Sequence, residues 1–377
     1  MLLLDRYLLR QFAWVFVICF CSLAGLYIVA DALGHLEEFV SQTEEGSSMA
    51  VTMAEYYGYR TIAFFDRTSG ILALISVMFT LSWFQRHNEM TAAGAAGISK
   101  RRLVRPLVIA VSAISIVAAV GREALIPRFR DKFSRTAQDL AADATKKLVP
   151  RFDNLTGVFI SGRQLLTNQQ TIEAPNFRLP PELGHYDKRL VAKSALWMPA
   201  DQGRPAGFLL REVSQPRDLR DKPSLRLADG EMVLFTPHDN DWLEPNECFV
   251  MSGVEFDQLV DAASWRQYSS TWDLVAGLYN RSLDFGADVR VIIHSRLVQP
   301  ILDVTLLFLG MPLLLRGNRN AFVAIGLCLL VVVGFLAVVT GCQYLGTSFL
   351  LSPVLAVWAP LFLFVPLAAW ISEPVWE

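Results

Sequence analysis

Charge is what this 377-residue sequence has least of: 19% of its residues are Asp, Glu, Lys or Arg, against about 25% in an ordinary soluble domain. Hydrophobic residues make up 53% and the mean hydropathy is +0.35. The deficit is local. From Ala321 to Ser372 there are 52 consecutive residues without a charged side chain, whereas Pro127 to Arg290 is densely charged. That contrast excludes a soluble enzyme, a disordered tail and a disulfide scaffold. Cysteine is scarce too. Cys19, Cys21, Cys328 and Cys342 sit in apolar segments and only Cys248 in the polar part, so there is neither a disulfide framework nor metal-ligand spacing. Soft buried thiols are the plain reading for the membrane four. A basic surplus is missing as well: the net charge is −2, which argues against a nucleic-acid partner. No Gly-x-x-x-x-Gly-Lys-[Ser/Thr] string occurs, so no phosphate-binding loop for ATP is expected in this chain.

What remains is a membrane protein with one sizeable aqueous domain. A bilayer span needs about 20 mostly apolar residues. Gln11–Ala30 supplies the first and is expected to stay as an anchor, because it is long for a cleavable signal and lacks a small-residue cleavage site. Thr68–Gln85 supplies the second, between Arg67 and Arg86. Pro106–Gly121 is a third, sufficient only if its helix continues into charged flanks. Leu297–Leu315 is the fourth, interrupted by Asp303. The long uncharged run holds a fifth and a sixth, with a turn expected at Gly341-Cys-Gln-Tyr-Leu-Gly-Thr-Ser348 before Pro353. Short-loop charges orient the bundle. Arg6 and Arg10 precede span one, Arg86 and Lys100 to Arg105 lie between spans two and three, and Arg316 and Arg319 follow span four. Glu37, Glu38, Glu44, Glu45 and Glu55 dominate the loop after span one. Both termini are therefore expected in the cytoplasm and the large domain on the far side. Residues 1–125 hold three helices, 126–290 the external domain, and 291–377 three more helices.

The external segment reads mainly as strands. Gly157–Ser161 and Glu231–Phe235 are β-rich, and Leu190–Met198 with Gly207–Val213 suggests a hairpin across a Pro/Gly-rich turn. An antiparallel sandwich or jelly roll is the expected form. Ser270-Ser-Thr-Trp-Asp273 offers a helix cap on the way back to the membrane. His185 and His238 have no nucleophile pattern beside them, and Asp239, Asp241 and Glu244 fall in a Pro/Asn-rich loop where solvated carboxylates are the default. No catalytic constellation emerges.

The loop from Arg86 to Arg105 is the most informative stretch. Glu89–Ala96 can form two turns of helix with almost no side-chain bulk, a surface that another protein's backbone can approach closely. Glu89 lies in the first turn, where the helix dipole favours an anion, Gly97 suits the C-terminal cap, and Ser99 can cap the next helix. Read from these residues alone, a tight turn with an interfacial Ala-rich helix and a docking element for a partner are equally good.

The string Glu89-Met-Thr-Ala92-Ala-Gly-Ala95-Ala96-Gly97-Ile98-Ser99 resembles the signature loop of the lipopolysaccharide-export permease family, the LptF/LptG type. Asp5-Arg6-Tyr7-Leu8 resembles that family's opening. His294-Ser-Arg296-Leu-Val-Gln-Pro300 and Leu309-Gly-Met-Pro-Leu-Leu-Leu-Arg316 resemble the two ends of its fourth helix. The resemblance implies a permease subunit of an ABC exporter that takes lipopolysaccharide or a related glycolipid from the inner membrane and passes it toward the outer membrane. It implies a second homologous permease, a cytoplasmic ATPase dimer that uses the ATP, and periplasmic lipid-bridge proteins as partners. Glu89, Ala92, Ala95, Ala96, Gly97 and Ser99 would couple to the ATPase, and spans one and five would admit lipid. Phe16, Phe20, Tyr27, Gly334 and Val338 are the candidates on those two spans.

One departure stands out. Where family members often carry lysines near the outer end of span one, this chain reads Asp31-Ala-Leu-Gly-His35-Leu-Glu37-Glu38, which is acidic. Arg60, Arg67 and Arg122 are the available cations for a lipid headgroup, although pairing among Arg60, Asp66, Arg67, Arg122 and Glu123 is the simpler expectation. Asp303, the one acid well inside an expected span, should face a cavity or a partner. The rival function is a non-transporting membrane scaffold whose external domain binds an envelope partner; such a protein has no use for an ATPase socket.

Overall fold

The computed structural model describes residues 3–37, 39–40, 48–134, 145–180, 188–201, 204–226, 230, 232–260, 262–315 and 321–376. Glu38, Glu44, Glu45, His185, Arg316 and Arg319, which entered the charge and motif readings above, lie outside these residues. Among the described residues, six helices are long and apolar enough to cross a bilayer. The chain divides into two compact units, one of Met1–Gly34, Ala54–Phe129 and Gly286–Glu377, the other of His35–Met53 and Arg130–Phe285.

The helices of the first unit are α1 (Leu3–Gly34) and α2 (Met49–Arg86), the short α3 (Glu89–Ala95), α4 (Lys100–Val120), α5 (Ala287–Leu315), α6 (Ala321–Thr347) and α7 (Pro353–Trp376). The short third apolar run becomes a full span because its helix extends into both charged flanks. It begins at Lys100 and passes through a π-helical turn at Gly121–Leu125. The turn expected at 341–348 is corrected: Gly341 to Thr347 is helical, and the chain reverses between Ser348 and Ser352. Glycine and threonine are tolerated in membrane helices, where an unbonded backbone costs more than weak propensity, so the helix runs on to Thr347, and Pro353 opens the next one. Hydroxyls within the spans donate back to their own helices, Ser76 to the Leu72 carbonyl and Thr80 to the Ser76 carbonyl at 2.7 Å each, which spares them an unpaired donor in hydrocarbon.

α5 is the most enclosed span. Leu302, Leu306, Leu307, Met311 and Leu314 pack with Leu74, Val77 and Leu81 of α2 in one buried cluster that α6 and α7 extend through Cys328, Phe335 and Phe364. α1 is the opposite. Only Leu8, Phe12 and Ala24 are buried along its length, and it meets α2 largely through rings: Tyr7 on Phe84, Phe20 on Phe65, and Tyr27 stacked on Phe64 with centroids 5.4 Å apart. The expectation of buried membrane thiols holds for Cys328 alone; Cys21 is exposed and Cys19 and Cys342 are half-buried, because α1 and the C-terminal part of α6 have little covering them among the described residues.

The second unit is an antiparallel sheet domain between the third and fourth spans. Its strands are β1 (Thr145–Lys147), β2 (Arg151–Phe152), β3 (Phe159–Ile160), β4 (Gln164–Leu166), β5 (Thr171–Glu173), β6 (Asn176–Arg178), β7 (Arg189–Met198), β8 (Gly207–Gln215), β9 (Leu225–Arg226), β10 (Met232–Phe235) and β11 (Cys248–Met251). The order is β1-β4-β5-β7-β8-β11-β10-β9, with β2, β3 and β6 branching from the first half of β7. The expected hairpin is the β7–β8 pair, in register with Ala195 opposite Leu210 and Trp197 opposite Phe208. Strands from both branches share one core, in which Ile160, Ile172, Phe177, Phe208, Val233 and Val250 are fully or almost fully buried. At Gly207 an added Cβ would strike the Val250 carbonyl and lie 2.7 Å from the Phe249 ring, so the β8–β11 approach requires glycine.

A buried carboxylate closes this domain. Asp153 accepts hydrogen bonds from the amides of Leu155 and Thr156 at 2.9 and 3.2 Å and from Ser252 Oγ at 2.6 Å, a donor set that compensates its loss of water. Between β11 and Ser270 the expectation of strands is corrected: Phe256–Val260 and Ala262–Tyr268 are helices. The helix expected after Ser270 is Thr271–Tyr279, held by the anticipated cap, with Ser270 and Asp273 forming a reciprocal capping box.

Candidate functional site

The loop between α2 and α4 is built by two left-handed residues around one short helix. Asn88 at φ 57° ends the run out of α2, and Gly97 at φ 74° ends α3. The Ile98 amide then bonds the Ala93 carbonyl at 3.0 Å. Met90 and Ile98 pack against the membrane core and Ala93 is buried within it. Thr91, Ala92, Gly94, Ala95, Ala96 and Gly97 are exposed. The outward face of α3 is thus close to bare backbone, bordered by the exposed cations Lys100, Arg101, Arg102 and Arg105. Ser99 takes the extended conformation of a cap, yet its side chain makes no capping bond. Glu89 is held by a residue far away in sequence: Tyr7 donates its hydroxyl to Glu89 Oε1 at 3.3 Å, and the Tyr7 ring leans on Phe84. Nothing in the loop's own sequence points to Tyr7.

The three candidate headgroup cations are placed differently. Arg122, in the π-helical turn, binds Asp66 of α2 through Nε and Nη2 at 2.8–2.9 Å. Its neighbour Glu123 reaches Arg296 of α5 at 3.7 Å. Arg60 donates to the Tyr27 hydroxyl at 3.2 Å, lies 4.0 Å from Asp31 and covers the Tyr56 ring at 4.6 Å. Arg67 is exposed. Asp303 is 8% exposed and accepts from Ser115 Oγ of α4 and Gln299 Nε2 at 3.0 Å each, while Gly70 of α2 leaves room for its carboxyl. Ser115 and Gly70 carried no signal in the sequence and Gln299 entered only within the His294–Pro300 string, since each is an ordinary span residue until the helices meet.

The two sets of lipid-access candidates are not brought together. Phe16, Phe20 and Tyr27 turn toward Phe64 and Phe65 of α2. Gly334 has no side chain or backbone near its missing Cβ among the described residues, and Val338 packs on the membrane core. In the sheet domain, His238 bonds Asp239 at 2.6 Å on the surface, and that contact, with the Ser224 amide, holds the Asp239 carboxyl below its usual range. Glu255 is pushed upward by burial and by the nearby Asp257. Among the described residues no group of His, Cys, Asp and Glu is arranged to hold a metal ion.

Among the described residues, six apolar helices, an antiparallel sheet domain between the third and fourth, and an almost bare short helix in a tight interhelical loop define a polytopic membrane protein. Residues 6–373 match the family described as lipopolysaccharide export system permease LptF/LptG, and the chain belongs to that family. It is a multi-pass inner-membrane permease of lipopolysaccharide export rather than an enzyme. A comparison with individually curated proteins finds no match.

Proposed function

We propose that the chain is one of two permeases in an ATP-driven exporter, with both termini and α3 in the cytoplasm and the sheet domain in the periplasm. The observation that carries this reading is α3, an exposed helix of small residues with Glu89 in its first turn, suited to a groove in a separate ATPase dimer. A membrane scaffold has no use for such a surface. Lipopolysaccharide, or a related glycolipid, would be drawn from the inner membrane between α1 and α6, enter the sheet domain, and pass to a periplasmic lipid bridge. Support for that access route comes from the outward faces of both helices. Leu26 of α1 is 67% exposed, and Gly326, Gly334 and Gly341 of α6 have open space beside them among the described residues. Glycines permit close but weakly locked helix contacts, so such faces can meet and part.

A cysteine pair tests the reading. With the five native cysteines replaced, Leu26→Cys and Ala337→Cys in the assembled transporter should crosslink on oxidation. Lipid export should then stop and return on reduction. Efficient crosslinking with undiminished export would show that this seam does not open.

A further inference from the structure

The short helix α3 is tied to a span that is not its neighbour in sequence. α2 and α4 flank it, yet the side chain that holds Glu89 comes from α1: Tyr7 donates its hydroxyl to Glu89 Oε1 at 3.3 Å, across 82 residues of sequence. Further contacts fix the same end of α1. The Tyr7 ring leans on Phe84, with centroids 5.6 Å apart. Leu8 and Phe12 share one buried cluster with Phe84 of α2, Ala93 of α3 and Leu103 of α4. Past Phe12 the helix is held far less, and Ala24 is its one other buried residue among those described. α1 is therefore gripped at the loop end and sparsely covered along the rest, as a lever is. Close-packed interiors transmit a displacement instead of absorbing it, so a shift of α3 passes to the first turns of α1. The Tyr7–Glu89 bond gives that contact a direction. Tyr7 is 44% exposed, and a long bond in such a place adds little to folding, so stability does not account for it. Glu89 Oε2 has no partner among the described residues, which leaves it for a cation of a docked protein while Oε1 stays with Tyr7.

We propose that Tyr7 is a positioning residue of the export cycle: it joins α1 to Glu89, so that movement of the docked α3 is delivered to α1 and opens the lipid entry beside it. This rests on the docking reading above. The test uses the complete transporter with its ATPase in proteoliposomes. Tyr7→Phe keeps the ring on Phe84 and removes only the hydroxyl. The variant should bind the ATPase and hydrolyse ATP at the wild-type rate, while lipid released per ATP falls about fivefold, the scale of one hydrogen bond. Spin labels at Leu33→Cys of α1 and Val120→Cys of α4, both exposed, read the movement itself once the native cysteines are replaced. Their separation should change on vanadate trapping in the otherwise wild-type chain and stay at its nucleotide-free value with Tyr7→Phe. A purely structural hydroxyl would lower the thermal midpoint and leave both readouts alone. Unchanged lipid release per ATP, a label separation that still answers to nucleotide, or ATP hydrolysis that falls in step with export would each overturn the inference while docking stands. If Glu89→Lys keeps both ATPase association and export, the docking reading falls and this inference with it.

Discussion

Glu89→Lys is expected to stop lipid export while leaving the six-helix unit folded. Glu89 has one described partner, the Tyr7 hydroxyl at 3.3 Å in an exposed position. Its replacement removes a weak contact and a favourable first-turn charge, together worth at most about 1 kcal/mol. At a docked interface the same change is far larger. Losing one member of a buried charge pair costs about 2–5 kcal/mol, so coupling should fall on the order of a hundredfold. ATP hydrolysis and lipid release, measured together in proteoliposomes, separate the two effects. Export should collapse while the variant keeps its wild-type thermal midpoint. Unchanged export with unchanged ATPase association would mean that α3 is only an interfacial turn.

Gly70→Ala is expected to be the most destabilising small substitution in the membrane unit. The new Cβ would overlap the Asp303 carboxyl, which Ser115 and Gln299 hold from α4 and from its own helix. The carboxyl must move, and a buried acid that loses both donors is costly. About 3 kcal/mol is the expected loss, combining overpacking and a broken polar contact, read as a lower thermal midpoint in detergent. Adding Asp303→Ala should recover part of that loss, because the collision disappears with the carboxyl. Additive losses in the double variant would show that α2 and α5 do not meet at this point.

Much of the architecture could be read from the chain before any coordinates. The uncharged runs marked the spans because lipid accepts little else, and the Pro/Gly-rich gap between two β-rich runs marked the β7–β8 hairpin. α3 was legible for a local reason: the seven mostly small residues between Glu89 and Gly97 suit a nearly bare helix. The expected pairing among the charges at the ends of spans two and three is met by Arg122 with Asp66. The failures share a different cause. The hold of Tyr7 on Glu89 joins residues far apart in sequence that only helix packing selects. The helical course of Gly341–Thr347 reverses the usual meaning of glycine and threonine, which break helices in water but not in hydrocarbon. The helices after β11 follow from docking on the sheet core through Phe256 and Leu259, not from any strong period of their own.

The central claim is that ATP drives lipid from the membrane unit through the sheet domain. A photocrosslinker at Val233, fully buried in the sheet core, tests it most directly in the complete transporter reconstituted with labelled lipopolysaccharide. The account predicts that Val233 captures lipid only when ATP is hydrolysed, and that Glu89→Lys abolishes the capture. Crosslinking confined to exposed positions such as Phe152, or capture at Val233 that is equal with and without ATP, would contradict it.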